Sequence, residues 1–287
     1  MKISEIYKKK DLTVSFEVFP PKGDLAADTL RDVLVELSGL GPDFISVTYS
    51  AGGGGNSQKT VELAGLIGEY GTSSIAHLTC INSRREEIGA VVQAMKHRGI
   101  ENILALRGDR VEGKEPTDFF HATELIAELQ GQGFCIGAAC YPEGHIENDS
   151  PEDDLAHLLE KEAAGAEFFV SQLFFENSKF YRFLERARRR GLCGPVTAGV
   201  MPILSKAQIS RMIFMCGASL PSEIIRLLNR YENDPEALRK AGIAYAAEQA
   251  ADLAKNGVDG IHIYTMNQPD IAHAVVDRLK VDGYVGV

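Results

Sequence analysis

The stretch 13-TVSFEVFPP-21 decides between the two folds that the rest of the chain allows. It begins as a short apolar run, typical of a strand covered on both faces, and it contains a single acid, Glu17. An open, doubly wound sheet usually has a GxGxxG phosphate loop after its first strand, and here that place holds Pro20 and Pro21. The stretch therefore favours a closed barrel.

Seven more apolar runs follow and alternate with segments of helical periodicity. They are 43-DFISVTY-49, 74-SIAHLTC-80, 102-NILALRG-108, 134-FCIGAACY-141, 167-EFFVSQLF-174, 195-PVTAGV-200 and 259-DGIHIYT-265. Eight such units predict an α/β fold, a (β/α)8 TIM barrel, as a single domain over residues 1–287. Extra helices are expected before the last strand, at 206–216, 221–229 and 233–255. The termini, 1-MKIS-4 and 282-DGYVGV-287, are expected to be peripheral.

Composition argues against several classes of protein. A formal net charge of −10 disfavours nucleic acid and anionic membranes as partners. No apolar run reaches about 18 residues, and the start MKISEIYKKK lacks the apolar core of a signal peptide. The five cysteines form no CxxC pair, which indicates reduced thiols in a cytoplasmic protein. The histidines show no metal-binding spacing, so no metal is expected.

Polar side chains recur where the predicted strands end, and the first three such ends are 31 residues apart. The polar residues are Glu17, Thr48, His77, Thr79, Arg107, Asp109, Tyr141, Gln172 and Tyr264. In a TIM barrel these ends meet at one mouth, where active sites are built. The set predicts an active site, although each residue alone is equally an ordinary polar residue at a strand end.

Glu17 is the candidate general acid of that mouth. Its neighbours Phe16, Val18 and Phe19 are expected to pack the barrel walls and to raise the pKa of the carboxyl group by desolvation. A structural ion pair, for instance with Arg107, is the alternative reading.

Three further motifs offer groups that bind ligands. They contribute Arg107, Gly108, Asp109, Tyr141, His145, Asp154, His157 and Lys161, of which the last three share one helix face. Together they suit a flat ring, ribose hydroxyls and a pyrophosphate, but turns and a solvated helix face explain them as well. The segment 51-AGGGGNSQ-58 lacks the Lys-Ser/Thr of a P-loop and is interpreted as a flexible loop or lid.

Taken in order, eight motifs resemble the methylenetetrahydrofolate reductases over roughly residues 10–280. They are 15-SFEVFPPK-22, 44-FISVTY-49, 76-AHLTC-80, 105-ALRGD-109, 138-AACYPEGH-145, 171-SQLFF-175, 199-GVMPI-203 and 263-IYTMN-267. The resemblance is to the bacterial form, a catalytic barrel without a regulatory domain. It implies reduction of 5,10-methylenetetrahydrofolate to 5-methyltetrahydrofolate by NADH or NADPH through FAD. The implied reaction is ping-pong and serves one-carbon metabolism and methionine synthesis.

The resemblance also implies a role for each matching position. Glu17 resembles the acid that protonates N10, and Asp109 resembles a carboxylate lying between flavin and pterin. Gln172 and Gln208 match folate contacts. Implied FAD contacts are Thr48, Tyr49, Ala51, His77, Arg107, Gly108, Asp109, Ala122, Tyr141, His145, Asp154, His157 and Lys161. The positions that depart from residues common in the family are His157, Glu160, Met212 and Gln268.

Two rival functions stay open on the sequence. One is a flavin-free barrel lyase or aldolase, although no Schiff-base lysine stands at a predicted strand end. The other is a non-catalytic subunit that scaffolds a partner or carries flavin without turnover. A homo-oligomer is expected, and the choice between NADH, NADPH and an electron-transfer partner protein is left open.

Overall fold

Eight parallel strands close into a barrel in the computed structural model, which describes residues 1–20, 27–49, 56–111, 113, 115–148 and 150–286. The strands are β1 (Thr13–Val18), β2 (Phe44–Val47), β3 (Ser73–Thr79), β4 (Asn102–Leu106), β5 (Cys135–Cys140), β6 (Phe168–Ser171), β7 (Val196–Val200) and β8 (Gly260–Tyr264). Closure is made by β8 and β1, which pair with Thr13 opposite Gly260 and Glu17 opposite Tyr264. The predicted TIM barrel is confirmed, and each predicted strand overlaps an observed one.

Helices connect the strands within the described residues. They are α1 (Ile3–Tyr7), α2 (Ala27–Gly39), α3 (Asn56–Glu69), α4 (Arg85–His97), α5 (Ala122–Leu129), α6 (Pro151–Ala163), α7 (Asn177–Arg189), α8 (Lys206–Cys216), α9 (Ser222–Arg230), α10 (Pro235–Lys255) and α11 (Pro269–Val281). The extra helices α8, α9 and α10 precede β8 as predicted. In the described part of the chain, no helix has the length and apolar character needed to cross a membrane.

The segment read as a glycine-rich loop, 51–58, is only partly described. Its last three residues, 56–58, already belong to α3, which corrects the loop assignment there. Residues 50–55, and with them the predicted cofactor contact Ala51, lie outside the described residues.

Alternation along β1 decides which side chains face the barrel interior. Val14, Phe16 and Val18 are buried in the large cluster that joins the strands to the surrounding helices. Ser15 and Glu17 have the opposite parity, and both contact His262 of the neighbouring strand β8. Phe19 was expected to pack a wall as well, but it follows the strand and is 38% exposed.

The N-terminus is not peripheral, which corrects the prediction for residues 1–4. Ile3 and Ile6 of α1 are buried against Phe44 and Phe168 on the inner face of the barrel. Tyr7 completes this plug, and its hydroxyl is hydrogen bonded to Thr197 Oγ1. The plug covers apolar side chains at the end of the barrel opposite the mouth. At the other terminus, residues 282–286 are exposed or half-buried, as expected of a peripheral segment.

Candidate active site

The polar strand ends come together in one cavity of about 290 Å³ at the mouth of the barrel. All nine predicted strand-end residues line it, from Glu17 on β1 to Tyr264 on β8, together with Tyr49, Gly108 and His145. Since the C-terminal ends of all strands in a parallel barrel point to one face, closure itself produces this convergence.

A second cavity of about 320 Å³ adjoins the first and extends toward α6. Arg107, Tyr141 and His145 line both cavities. The remaining described candidates for cofactor binding line the second cavity, namely Ala122, Asp154, His157 and Lys161. The two cavities therefore form a continuous, elongated site.

Gln208 is the described candidate that lines neither cavity. Its Oε1 accepts a hydrogen bond from Leu204 N at 2.7 Å, and its Nε2 donates to Pro202 O at 3.2 Å. The amide therefore closes the start of α8 in this structure, and its contact with folate stays a prediction.

Glu17 faces two histidines from other strands. Its Oε2 lies 3.6 Å from Nε2 of His77 and 3.5 Å from Nε2 of His262. The alternative pairing with Arg107 is wrong, because that guanidinium binds Glu147. Sequence neighbours could not reveal this, since Phe16 and Val18 point away from the interior.

The pKa of Glu17 corrects a second expectation. Burial by itself raises the pKa of the carboxyl group, but hydrogen bonding with His262 and the influence of His77 outweigh that effect. The net pKa is lowered, not raised, so the ligand-free site holds a carboxylate near pH 7.

His262 is a functional candidate that the sequence reasoning missed. It is 1% exposed, and its Nδ1 lies 2.8 Å from Ser15 Oγ, while its Nε2 lies 3.2 Å from Ser46 Oγ. Strand periodicity held a usable signal, because His262 has the same parity as Tyr264, which was placed at the mouth.

His77 lines the mouth cavity as a buried, neutral imidazole. Burial lowers its pKa to about 4, and the Glu17 carboxylate offsets only part of that shift. Its Nε2 is buried and has no hydrogen-bond partner among the described residues. A buried nitrogen without a partner is costly, and a bound ligand would remove that cost.

Lys161 brings a cation without a counter-ion to the second cavity. Its Nζ donates to Ala139 O at 3.0 Å and lies 5.3 Å from the centre of the Tyr141 ring. Within the described part of the chain, no carboxylate lies within 4.0 Å of it. Burial lowers the pKa of this ammonium group. Such a group favours an anionic ligand.

Asp154 uses both carboxylate oxygens inside the protein. Oδ2 accepts from His145 N and Oδ1 accepts from Asn148 Nδ2, each at 2.5 Å. Asp154 therefore holds residues 145–148 against α6, and its predicted contact with a ribose stays a prediction. His157, one turn further along α6, is exposed at the rim.

Gly108 cannot carry a side chain without strain. Its φ is +84°, and a Cβ added there would lie 2.8 Å from Thr79 Cβ. The absence of a side chain lets this strand exit pack closely against Thr79, and Gly108 also lines the mouth cavity. Next to it, Asp109 is exposed, and its carbonyl accepts a hydrogen bond from Asn82 Nδ2 at 2.7 Å.

Comparison with known proteins settles the family. The family model described as methylenetetrahydrofolate reductase matches residues 2–280. The chain belongs to the methylenetetrahydrofolate reductase family. The 5,10-methylenetetrahydrofolate reductase of Pectobacterium carotovorum is 32% identical over 272 residues, which cover 94% of this chain and 91% of that protein. The Escherichia coli K12 protein of the same name is 30% identical with the same coverage. Family membership supports reduction of methylenetetrahydrofolate as the reaction of this chain.

Longer relatives match this reductase over part of their length. The Arabidopsis thaliana methylenetetrahydrofolate reductase (NADH) 1 is 32% identical in an alignment of 296 positions, which covers 97% of this chain and 50% of that protein. A solved Clostridium thermocellum structure, described as binding two copies of 5-methyl-5,6,7,8-tetrahydrofolic acid, covers all of this chain with a TM-score of 0.67. At 15% identity that likeness concerns the fold alone.

Two family departures noted in this reductase lie away from both cavities. Gln268 precedes α11, and its Oε1 accepts a hydrogen bond from Arg239 at 2.6 Å. Arg239 also pairs with Asp270 at 2.7 Å. Met212 packs with the apolar cluster around α8 and α9. Both side chains therefore support the extra helices in this structure.

Proposed function

We propose that this methylenetetrahydrofolate reductase converts 5,10-methylenetetrahydrofolate to 5-methyltetrahydrofolate with FAD as cofactor and NADH or NADPH as donor. The observation that carries the proposal is Glu17, a carboxylate at the end of β1 that lines a cavity shared with Asp109 and Gln172. Opening and reducing a pterin-fused ring calls for an acid that donates a proton, here Glu17. It also calls for a charged group and an amide that bind the ring, here Asp109 and Gln172.

The described residues fit an elongated, anionic flavin. Among the described residues, His77 offers a buried nitrogen without a hydrogen-bond partner, and Gly108 places backbone in the lining of the mouth cavity. Lys161 offers an ammonium group, with no carboxylate within 4.0 Å among the described residues, in the second cavity, where the phosphates would lie. Tyr141 and His145 line the junction between the two cavities, where a ligand would cross.

Glu17 supplies the proton that the reaction needs. Bound FAD would supply the hydride transfer, from NADH or NADPH to the methylene carbon of the folate, in a ping-pong sequence. Glu17 donates its proton to N10, the bond between N10 and the methylene carbon breaks, and the methylene carbon can then accept the hydride. The donor is oxidised, the folate is reduced, and Glu17 regains a proton from water.

A bound ring would change the protonation of Glu17. In the ligand-free site the pKa of Glu17 is lowered, with hydrogen bonding from His262 offsetting the effect of burial. Filling the cavity removes the water that still reaches the side chain, which is 18% exposed. Further desolvation raises a carboxyl pKa, so ligand binding itself favours the acid form.

Asp109 and Gln172 are proposed to orient the folate. Gln172 Oε1 accepts from Leu173 N at 2.9 Å, which fixes the amide, while the amide nitrogen has no partner in the described ranges. Asp109, exposed at the rim, places negative charge beside the ring-binding region. The lyase reading is disfavoured by the family and by Lys161, which lies on α6 and not at a strand end.

The decisive experiment compares the wild-type protein with Glu17→Gln under anaerobic conditions. We expect both proteins to bind FAD and to bleach it with NADH or NADPH, because Glu17 is not needed for that half-reaction. Reoxidation by methylenetetrahydrofolate should slow by about 100-fold or more in E17Q, since a positioned acid contributes roughly 10²–10⁴-fold.

Glu36→Gln is the matched control, because Glu36 is an exposed carboxylate on α2 outside both cavities. It should reoxidise at the wild-type rate. A wild-type protein that cannot be loaded with FAD would refute the proposed function. Full reoxidation of E17Q by the folate would refute only the role of Glu17.

A further inference from the structure

Glu147 forms an ion pair with Arg107, the cation that lines both cavities. The guanidinium donates from Nη1 to Glu147 Oε2 at 2.5 Å and from Nη2 to Glu147 Oε1 at 2.9 Å. A third donor, Nε, binds Gly108 O at 3.2 Å. Glu147 lines the second cavity beside Lys161. The pair therefore stands where a ligand that spans both cavities must pass.

Two of the three Lys and Arg side chains that line the second cavity, Arg107 and Lys161, are in different electrostatic states. Lys161 has no carboxylate within 4.0 Å in the described ranges, whereas the charge of Arg107 is compensated by a two-pronged carboxylate. Hydrogen bonding to Arg107 lowers the pKa of Glu147, so the carboxylate is charged near pH 7. A guanidinium offers the same fork to a phosphate as to a carboxylate. Glu147 is thus bound as a phosphate group would be.

The Glu147 side of the pair faces solvent. The Glu147 side chain is 46% exposed, whereas that of Arg107 is 21% exposed. Glu147 lies in the 145–148 turn, whose backbone is held at its ends by the bond from Asn148 N to His145 O and by Asp154. The carboxylate can therefore rotate into water while the turn and the His145 backbone stay in place.

We propose that Glu147 and the phosphates of the cofactor compete for Arg107. This inference rests on the proposed function, because it takes a flavin nucleotide as the ligand. Glu147 holds the guanidinium until the nucleotide binds and then releases it to a phosphate. Glu147 then sets how tightly the site binds the phosphate-bearing part of the flavin, and it has no effect on the uncharged ring.

The test is flavin binding by the full chain freed of flavin, measured by the change in flavin fluorescence. Glu147→Gln should bind FAD about threefold to tenfold more tightly than wild type, because the exposed competing charge is gone. The same substitution should leave the affinity for riboflavin, which has no phosphate, unchanged. In an Arg107→Gln background, E147Q should give no gain for FAD.

Glu152→Gln is the matched control, since it removes the same charge from an exposed site on α6 outside both cavities. It should bind FAD as wild type does. Equal or weaker FAD binding by E147Q would overturn the competition and would mean that Glu147 orients Arg107. An equal gain for FAD and riboflavin would also overturn it. If wild type bound no flavin, the proposed function and this inference would fall together.

Discussion

His77 makes the stability of this barrel depend on pH. Its imidazole is 6% exposed, and burial lowers its pKa to about 4 from an ordinary value of 6.5. At pH values between those two, His77 binds a proton in the unfolded chain but stays neutral in the folded protein. Folding stability must therefore fall as the pH is lowered through that window, and a single such group can account for roughly 3 kcal/mol.

We predict that His77→Gln flattens the pH dependence of unfolding between about pH 6.5 and pH 4. The measurement is urea unfolding at a series of pH values. His97→Gln, which replaces an exposed histidine on α4, is the control and should keep the wild-type slope. An unchanged slope in H77Q would mean that His77 is protonated inside the folded barrel.

At the residue scale, the sequence predicted where the side chains of the site lie in the barrel, but it did not predict which groups surround them. Strand periodicity placed Glu17 at the mouth, and the structure bears that out. The direction of its pKa was wrong, because the groups that lower it come from β3 and β8. Glu147 was missed as the partner of Arg107, since 40 residues separate them in the chain.

Helix α1 shows how a short element can matter more than its length suggests. Its five residues place Ile3 and Ile6 on one face, which is buried within the lower end of the barrel. A helix this short has little stability of its own, so tertiary packing must hold it. The sequence pattern was too brief to reveal this, which is why the N-terminus was wrongly predicted as peripheral.

We predict that Ile3→Ala lowers the free energy of unfolding by about 2–5 kcal/mol, the usual cost of truncating a fully buried Ile. FAD affinity should not change, because α1 lies at the end opposite the mouth. Denaturant unfolding and flavin titration measure the two effects. Glu5→Ala, on the same helix but exposed, should stay within about 0.5 kcal/mol of wild type. Equal stability of I3A and E5A would contradict the plug.

The longer elements were predictable because their hydrophobic periods are strong. The run 13–18 matches β1, and 206–216 matches α8 residue for residue. The predicted 167–174 run ends three residues beyond β6, because the apolar residues Leu173 and Phe174 continue into the core after strand pairing has stopped. Apolar residues mark buried segments of the chain. A segment can be buried without being part of a hydrogen-bonded strand.

At the scale of the whole molecule, every strand of the barrel is paired on both sides. Residues from seven of the eight strands or their following loops line the mouth cavity, and among the described residues β7 contributes none. A ligand bound there contacts most of the barrel at once. Its binding should therefore stabilise the barrel as a unit, and the single domain over residues 1–287 stays a prediction.

We predict one calorimetric unfolding transition that shifts as a whole when FAD is added. At a free FAD concentration of 100 times its dissociation constant, the stabilisation should be about 2.7 kcal/mol. Riboflavin at equal saturation is the control for the ring alone. Two transitions, of which FAD moves only one, would contradict the single-domain prediction.

The sequence by itself determined the alternation of strands and helices, the closed barrel, the family motifs and the face of β1 that carries Glu17. These features follow from local periodicity and from short motifs, which can be recognised in a single sequence. Only the tertiary structure decided the charge state of Glu17, the burial of His77, the pairing of Arg107 with Glu147 and the buried plug at the N-terminus. Barrel closure brings Glu17 within 3.5 Å of His262, 245 positions away in the chain. Electrostatic and packing energies depend on distances in space, and sequence separation does not reveal those distances.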